Sequence, residues 1–88
     1  MLQGHACVYI EAIKKYGEQA QEGVAQEECA ELIQAISKKH RGKKHNIAEE
    51  IADVEIMLEQ LKIINDCFCD VESIKQEKVS RLEKRLEE

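Results

Sequence analysis

The sequence predicts an all-α chain of four helices that assembles into an oligomeric helical bundle. The composition is 43% hydrophobic and 35% charged, dominated by Ala, Glu, Lys, Leu and Ile, with no Pro, no Trp and one Phe. Of these, Ala, Glu, Lys and Leu lose little side-chain freedom in a helix. Apolar residues recur three and four apart and nowhere alternate with period two over a strand's length, which leaves little room for a sheet. Finally, 88 residues make a single domain spanning 1–88, and one core this small is marginal by itself. Further copies of the chain, as a homodimer or homotetramer, are therefore expected.

The helices follow in order. Over residues 2–16, Leu2, Ala6, Val8, Tyr9, Ala12, Ile13 and Tyr16 recur at helical spacing, and Gly17 is placed as the left-handed residue past the helix end. A second helix begins between Glu18 and Val24 and carries Ala25, Cys29, Leu32, Ile33 and Ile36 on one side. Residues 38–45 read KKHRGKKH, and this basic block around Gly42 is predicted to be loop. Asn46, with Glu49 three residues later, forms a capping box that opens a third helix with Ile47, Ile51, Val54, Leu58, Leu61 and Ile64 in a stripe. Residues 65–69 connect to a last helix capped by Asp70, with Val71, Ile74, Val79, Leu82 and Leu86 inward.

Charge and cysteine usage narrow the function. A net charge of -5, from 18 acidic and 13 basic residues, offers no general attraction to a nucleic acid polymer or an anionic membrane. An anionic ligand must be met locally. No apolar run approaches the roughly 18 residues needed to span a bilayer. Cys7, Cys29, Cys67 and Cys69 contain no CxxC and accompany no signal-peptide pattern, so a reducing cytoplasm is the expected location. With His5 they offer only HxC and CxC spacings, which read as small buried or idle thiols. Tyr9 and Tyr16 read as core.

Carboxylates stand where a core is expected. On a wheel of about 100° per residue, Glu50 falls inside the apolar stripe of the third helix, and Asp53 lies at its edge. Glu28 and Glu31, also three apart, flank small residues beside the stripe of the second helix. Two ExxE/D pairs thus face inward from neighbouring helices. Inward carboxylates are tolerated mainly when paired with cations or ligating a metal. A set with no Cys or His suits an oxygen-ligated cation, Mg2+ or Mn2+, rather than Zn2+. If the second helix ran to Arg41, the pairs would miss each other by about 10 Å, and they become level if it ends near Ser37. Lys38 and the basic loop would then lie near the acids, placed either to be simply solvated or to meet a polyphosphate. In the last helix, Lys78 falls on the apolar face with Arg85 beside it and Arg81 at the margin. Such cations either neutralise the acids or hold charge on phosphoryl oxygens.

The runs EECAELIQAISK (residues 27–38) and EEIADVEIMLEQL (residues 49–61) resemble the EExxE and ExxD motifs of the MazG-like nucleotide pyrophosphohydrolases, in the all-α NTP pyrophosphatase superfamily. The resemblance extends to KYGxxxQ at residues 15–21 and to KxxRLxxRL at residues 78–86. It implies a bundle assembled as a dimer or tetramer, with Mg2+ held by Glu28, Glu31, Glu50 and Asp53. It further implies hydrolysis of a nucleoside triphosphate to the monophosphate and pyrophosphate, a nucleotide-pool housecleaning activity in which one of these acids activates water. Members often carry more aromatic residues around the base than Tyr9, Tyr16 and Phe68, and no base pocket is assigned from the sequence. Two other readings stand beside this one: a phosphoribosyl-ATP pyrophosphohydrolase of related fold, and a non-catalytic helical module whose Glu-rich faces pair with a basic helix of another chain.

Overall fold

The computed structural model describes residues 4–88 and places among them four helices and no strand: α1 (Ala6–Tyr16), α2 (Glu18–His40), α3 (Ile47–Ile64) and α4 (Phe68–Leu86). Leu2, expected in the first helix, lies outside the described residues. None of these helices is long and apolar enough to cross a membrane.

Each junction has a local cause. Gly17 alone separates α1 from α2, at φ 95° and ψ 151°, a conformation essentially reserved for glycine. Its N–H donates to the Ile13 carbonyl at 2.8 Å, and its own carbonyl accepts from the Gln21 N–H at 3.1 Å. One residue therefore closes one helix and opens the next. α2 runs on to His40 rather than ending near Ser37. The basic side chains that were read as a break instead complement the negative end of the helix dipole. The stop falls on Gly42, at φ 69°. There the Gly42 N–H meets the Lys39 carbonyl at 3.0 Å, and the Lys43 N–H meets the Lys38 carbonyl at 2.9 Å, a Schellman closure. α3 ends the same way with Asp66 in the left-handed position at φ 48°, its N–H on Ile63 and that of Cys67 on Lys62. α4 then starts at Phe68, and Asp70, expected as its cap, lies inside its first turn.

α2 and α3 form the central antiparallel pair, α1 lies against both, and α4 touches α3 alone. The radius of gyration is 15.7 Å, against about 12 Å for a compact chain of this length. Among the described residues only Ala25, Ala35, Val54 and Met57 are buried apolar residues, accompanied by Gln21, Glu50 and Gln60. The stripes read from the sequence are thus only in part the buried rows: Ala25 and Val54 are buried, and Leu32, Ile47, Leu61 and Ile64 half-buried. On α2, Gln21, Ala25 and Ala35 are buried and Glu28 and Leu32 half-buried, while Cys29, Ile33 and Ile36 are exposed. On α3, Glu50, Val54, Met57 and Gln60 are buried, while Ile51 and Leu58 are exposed. Helix separation is set by the side chains at the contact, and the two alanines allow a close seam. Several of the larger apolar residues, Ile33, Ile51, Ile56 and Leu58 among them, face outward.

A buried hydrogen bond of 2.7 Å from Gln21 Nε2 to Gln60 Oε1 fixes the register of the seam. Gln21 and Glu31 are ten residues apart on α2, as are Glu50 and Gln60 on α3. The bond therefore places Glu31 opposite Glu50 and Glu28 opposite Asp53. Converting Gln21 alone to Met strands the buried Gln60 carbonyl, and should lower stability to chemical denaturation by about 1–3 kcal/mol. The double variant Gln21→Met/Gln60→Met, with no stranded group, should recover most of that loss; strictly additive losses would contradict this account of the register.

Candidate metal centre

The acidic site lies on the α2–α3 seam, ten residues along each helix from the glutamine pair. Glu28, Glu31 and Glu50 each offer a carboxylate oxygen, and these oxygens all lie within 4.8 Å of one another. Asp53, half-buried one turn after Glu50, is close enough for its charge to act on both Glu28 and Glu50. The longer α2 was expected to carry the pairs out of level, and it does not. Glu31 sits about 14 Å before the end of α2 and Glu50 only about 5 Å after the start of α3. Beyond the Gly42 turn, residues 43–46 take no helical or turn conformation, and about 3.3 Å per extended residue is enough to bring the chain back over that difference.

Glu50 is the pivot of the site. It is 6% exposed; its Oε1 accepts from Asn46 Nδ2 at 3.0 Å, and its Oε2 is buried with no hydrogen-bond partner. Asn46 was expected to cap α3, but its side chain makes no capping bond. It turns to the carboxylates instead, reaching Glu49 Oε2 at a longer 3.5 Å. The helix start is served by His45, whose Nδ1 accepts from the Ile47 N–H at 3.3 Å, and by Glu49 and Glu50 in the first turn. Asn46 is thus a residue of the site that the sequence pattern concealed, because a cap and an i,i+4 donor to Glu50 occupy the same position.

The electrostatics follow from crowding. The Glu31 carboxylate, which can share a proton with Glu28 when one of the two is neutral, then burial, then the charges of Asp53, Glu31 and Glu50 push the Glu28 carboxyl up from 4.5 to about 7. Burial is the first cause of the upward shift of Glu50, followed by the proton it can share with Glu31 when one of the two is neutral and by the charges of Glu31 and Asp53, with the Asn46 bond acting against it. Among the described residues no Lys or Arg bridges this cluster; the ion pairs are Lys62–Glu59, Lys75–Glu72 and Arg81–Glu77. An all-oxygen donor set with a buried oxygen that lacks a partner fits a hard divalent cation such as Mg2+ or Mn2+.

The other residues singled out from the sequence divide. Lys38 lines a small polar pocket of about 300 Å³ beside the acids, together with Glu31, Gln34, Ala35, Asn46 and Glu50. Lys78, Arg81 and Arg85, with Lys84, line a separate groove of about 440 Å³ on α4. All three are exposed, rather than inward, because α4 packs on nothing but α3. Within one chain they are not brought to the carboxylates. Tyr9 is half-buried and borders a groove of about 670 Å³ between α1, α3 and α4. Tyr16, expected in the core, is 60% exposed. The cysteines are free, and three of them, Cys7, Cys29 and Cys69, are exposed rather than buried.

No family model matches the chain, and no match was found among curated proteins or solved structures. What the site can do therefore rests on its own chemistry.

Because Glu28 holds its proton more tightly in the folded chain than in the unfolded one, the folded state carries more protons between pH 4.5 and about 7. Stability then falls as pH rises through that window. In the presence of a chelator the unfolding temperature should decline from pH 4.5 to about 7, and Mg2+ or Mn2+ should restore it above that window. An unfolding temperature that climbs across the same window in chelator would contradict the crowded-carboxylate arrangement.

Proposed function

We propose that this chain is a MazG-like, Mg2+-dependent nucleoside triphosphate pyrophosphohydrolase that converts NTPs or dNTPs to the monophosphate and pyrophosphate. One observation carries the proposal: three carboxylates from two helices converge within 4.8 Å around a buried Glu50 oxygen that lacks any partner. The ExxE and ExxD runs that supply these residues support it, as does the resemblance of their sequence context. Glu28, Glu31, Glu50 and Asp53 would hold Mg2+, or Mn2+, whose contribution when bound is to neutralise phosphate charge and polarise the anhydride. Water adds across the anhydride between the α and β phosphates. One of the four carboxylates takes the proton that water loses. Lys38, which lines the adjoining pocket, would meet phosphate oxygens of the substrate.

We propose the working unit to be a homodimer or homotetramer in a reducing cytoplasm. Ile33, Ile74, Val79, Leu82 and Leu86 are each 45% or more exposed, more apolar surface than a lone small domain with so slight a core sustains. The phosphate-binding role assigned to Lys78, Arg81 and Arg85 depends on that assembly, with α4 of a second copy lying near the acids.

Pyrophosphate release from a panel of NTPs and dNTPs, with and without Mg2+, tests the reaction. Turnover of several of them only with Mg2+ is the expected result. Turnover of phosphoribosyl-ATP alone would move the assignment to that substrate, and no turnover of any would leave a helical interaction module. Glu50→Gln should lower turnover at least ~100-fold without loss of helix content by circular dichroism.

A further inference from the structure

Asn46 stands where a helix cap is ordinarily useful, and its side chain is spent elsewhere. Asn is among the strongest N-cap residues because its side-chain oxygen can accept from the second or third N–H of the helix. Here that bond is not made, and Nδ2 instead donates to Glu50 Oε1 at 3.0 Å. Its position follows from the fold. The Gly42 turn and residues 43–46 return the chain along α2, so that Asn46 lines one pocket with Glu31, Gln34, Ala35, Lys38 and Glu50.

The consequence falls on Glu50. A carboxylate with one oxygen held by an amide has its rotation fixed, and the two oxygens become unlike. Oε1 is committed to Asn46. Oε2 is left buried, 94% of the residue being covered, with no hydrogen-bond partner. Without the amide, Glu50 is free to turn about its last torsion, which is broad and roughly two-fold, and a bound cation would have to order it. Groups that hydrogen-bond a ligating side chain raise metal affinity in this way, and losing one typically costs about 10–100-fold.

We infer that Asn46 is a positioning residue of the cation site, holding Glu50 so that its second oxygen is kept for the metal. This rests on the cation reading above and adds to it a residue that touches neither metal nor substrate.

Mn2+ affinity measured by titration calorimetry on the full chain separates this role from capping, using two variants with opposite properties. Asn46→Ser retains a good cap, but its short hydroxyl does not reach Glu50. Asn46→Gln caps poorly and retains the amide donor. The expected order of affinity is wild type, then Gln, then Ser, with Ser weaker than wild type by about 10–100-fold while metal-free circular dichroism spectra remain superimposable. Ser binding as tightly as wild type, or Gln binding no better than Ser, would overturn the positioning role and leave the metal site standing. Wild type and Glu50→Gln that both fail to bind Mn2+ would overturn the cation reading itself, and this inference with it.

Discussion

The structure turns on a carboxylate buried at a helix seam with no Lys or Arg paired to it among the described residues. Glu50 is almost fully covered between α2 and α3, with Glu28 and Glu31 against it, and no Lys or Arg among the described residues pairs with any of them. Burying an ionised group unpaired is among the costliest arrangements available to a protein. A chain of this size has little stability to set against it. The protons that Glu28 and Glu50 retain to higher pH are one response; the divalent cation proposed above would be the other. Proton and metal would then compete for the same oxygens, so affinity for the metal should strengthen as the carboxyls ionise.

Much of the remaining architecture serves to level those acids across the seam. The Gln21–Gln60 bond sets the register from one end. From the other end, the Schellman closure at Gly42 stops α2, and residues 43–46 carry the chain back so that α3 starts beside α2 rather than beyond it. Ala25 and Ala35 let the two helices approach. The seam is thus short of large apolar side chains, and Ile33, Ile51, Leu58 and the stripe of α4 are left outside. Placing acids on the central seam and leaving large apolar side chains exposed are two consequences of one arrangement.

Which features were legible in the sequence follows from the range of the interactions that set them. Four helices, the Gly17 junction and the inward Glu50 are encoded by spacing within a turn or two, and periodicity reports them; Glu31, expected to face inward, is exposed, and Glu28 and Asp53 are half-buried. The end of α2 was misread because a basic run around a glycine has the same composition whether it forms a loop or the last turn of a helix with its closure. Asn46 was misread because its role depends on whether its side-chain oxygen accepts from a backbone N–H or its Nδ2 donates to a carboxylate, and a capping pattern does not distinguish the two. The side chains of Lys78, Arg81 and Arg85 were read as inward because the pattern of α4 is amphipathic. Amphipathicity marks an apolar face and does not say what covers it. The phosphate-binding expectation for these three cations is therefore the part of the site most dependent on assembly.

The central claim is that Glu28, Glu31 and Glu50 converge on a cation. Anomalous diffraction from crystals grown with Mn2+ tests it most directly. The account predicts one strong peak on the α2–α3 seam at bonding distance from carboxylate oxygens of all three residues, including the Glu50 oxygen that Asn46 does not hold. A saturated crystal with no peak at that seam, or with Glu50 turned away and paired to a Lys or Arg of a neighbouring copy, would contradict it.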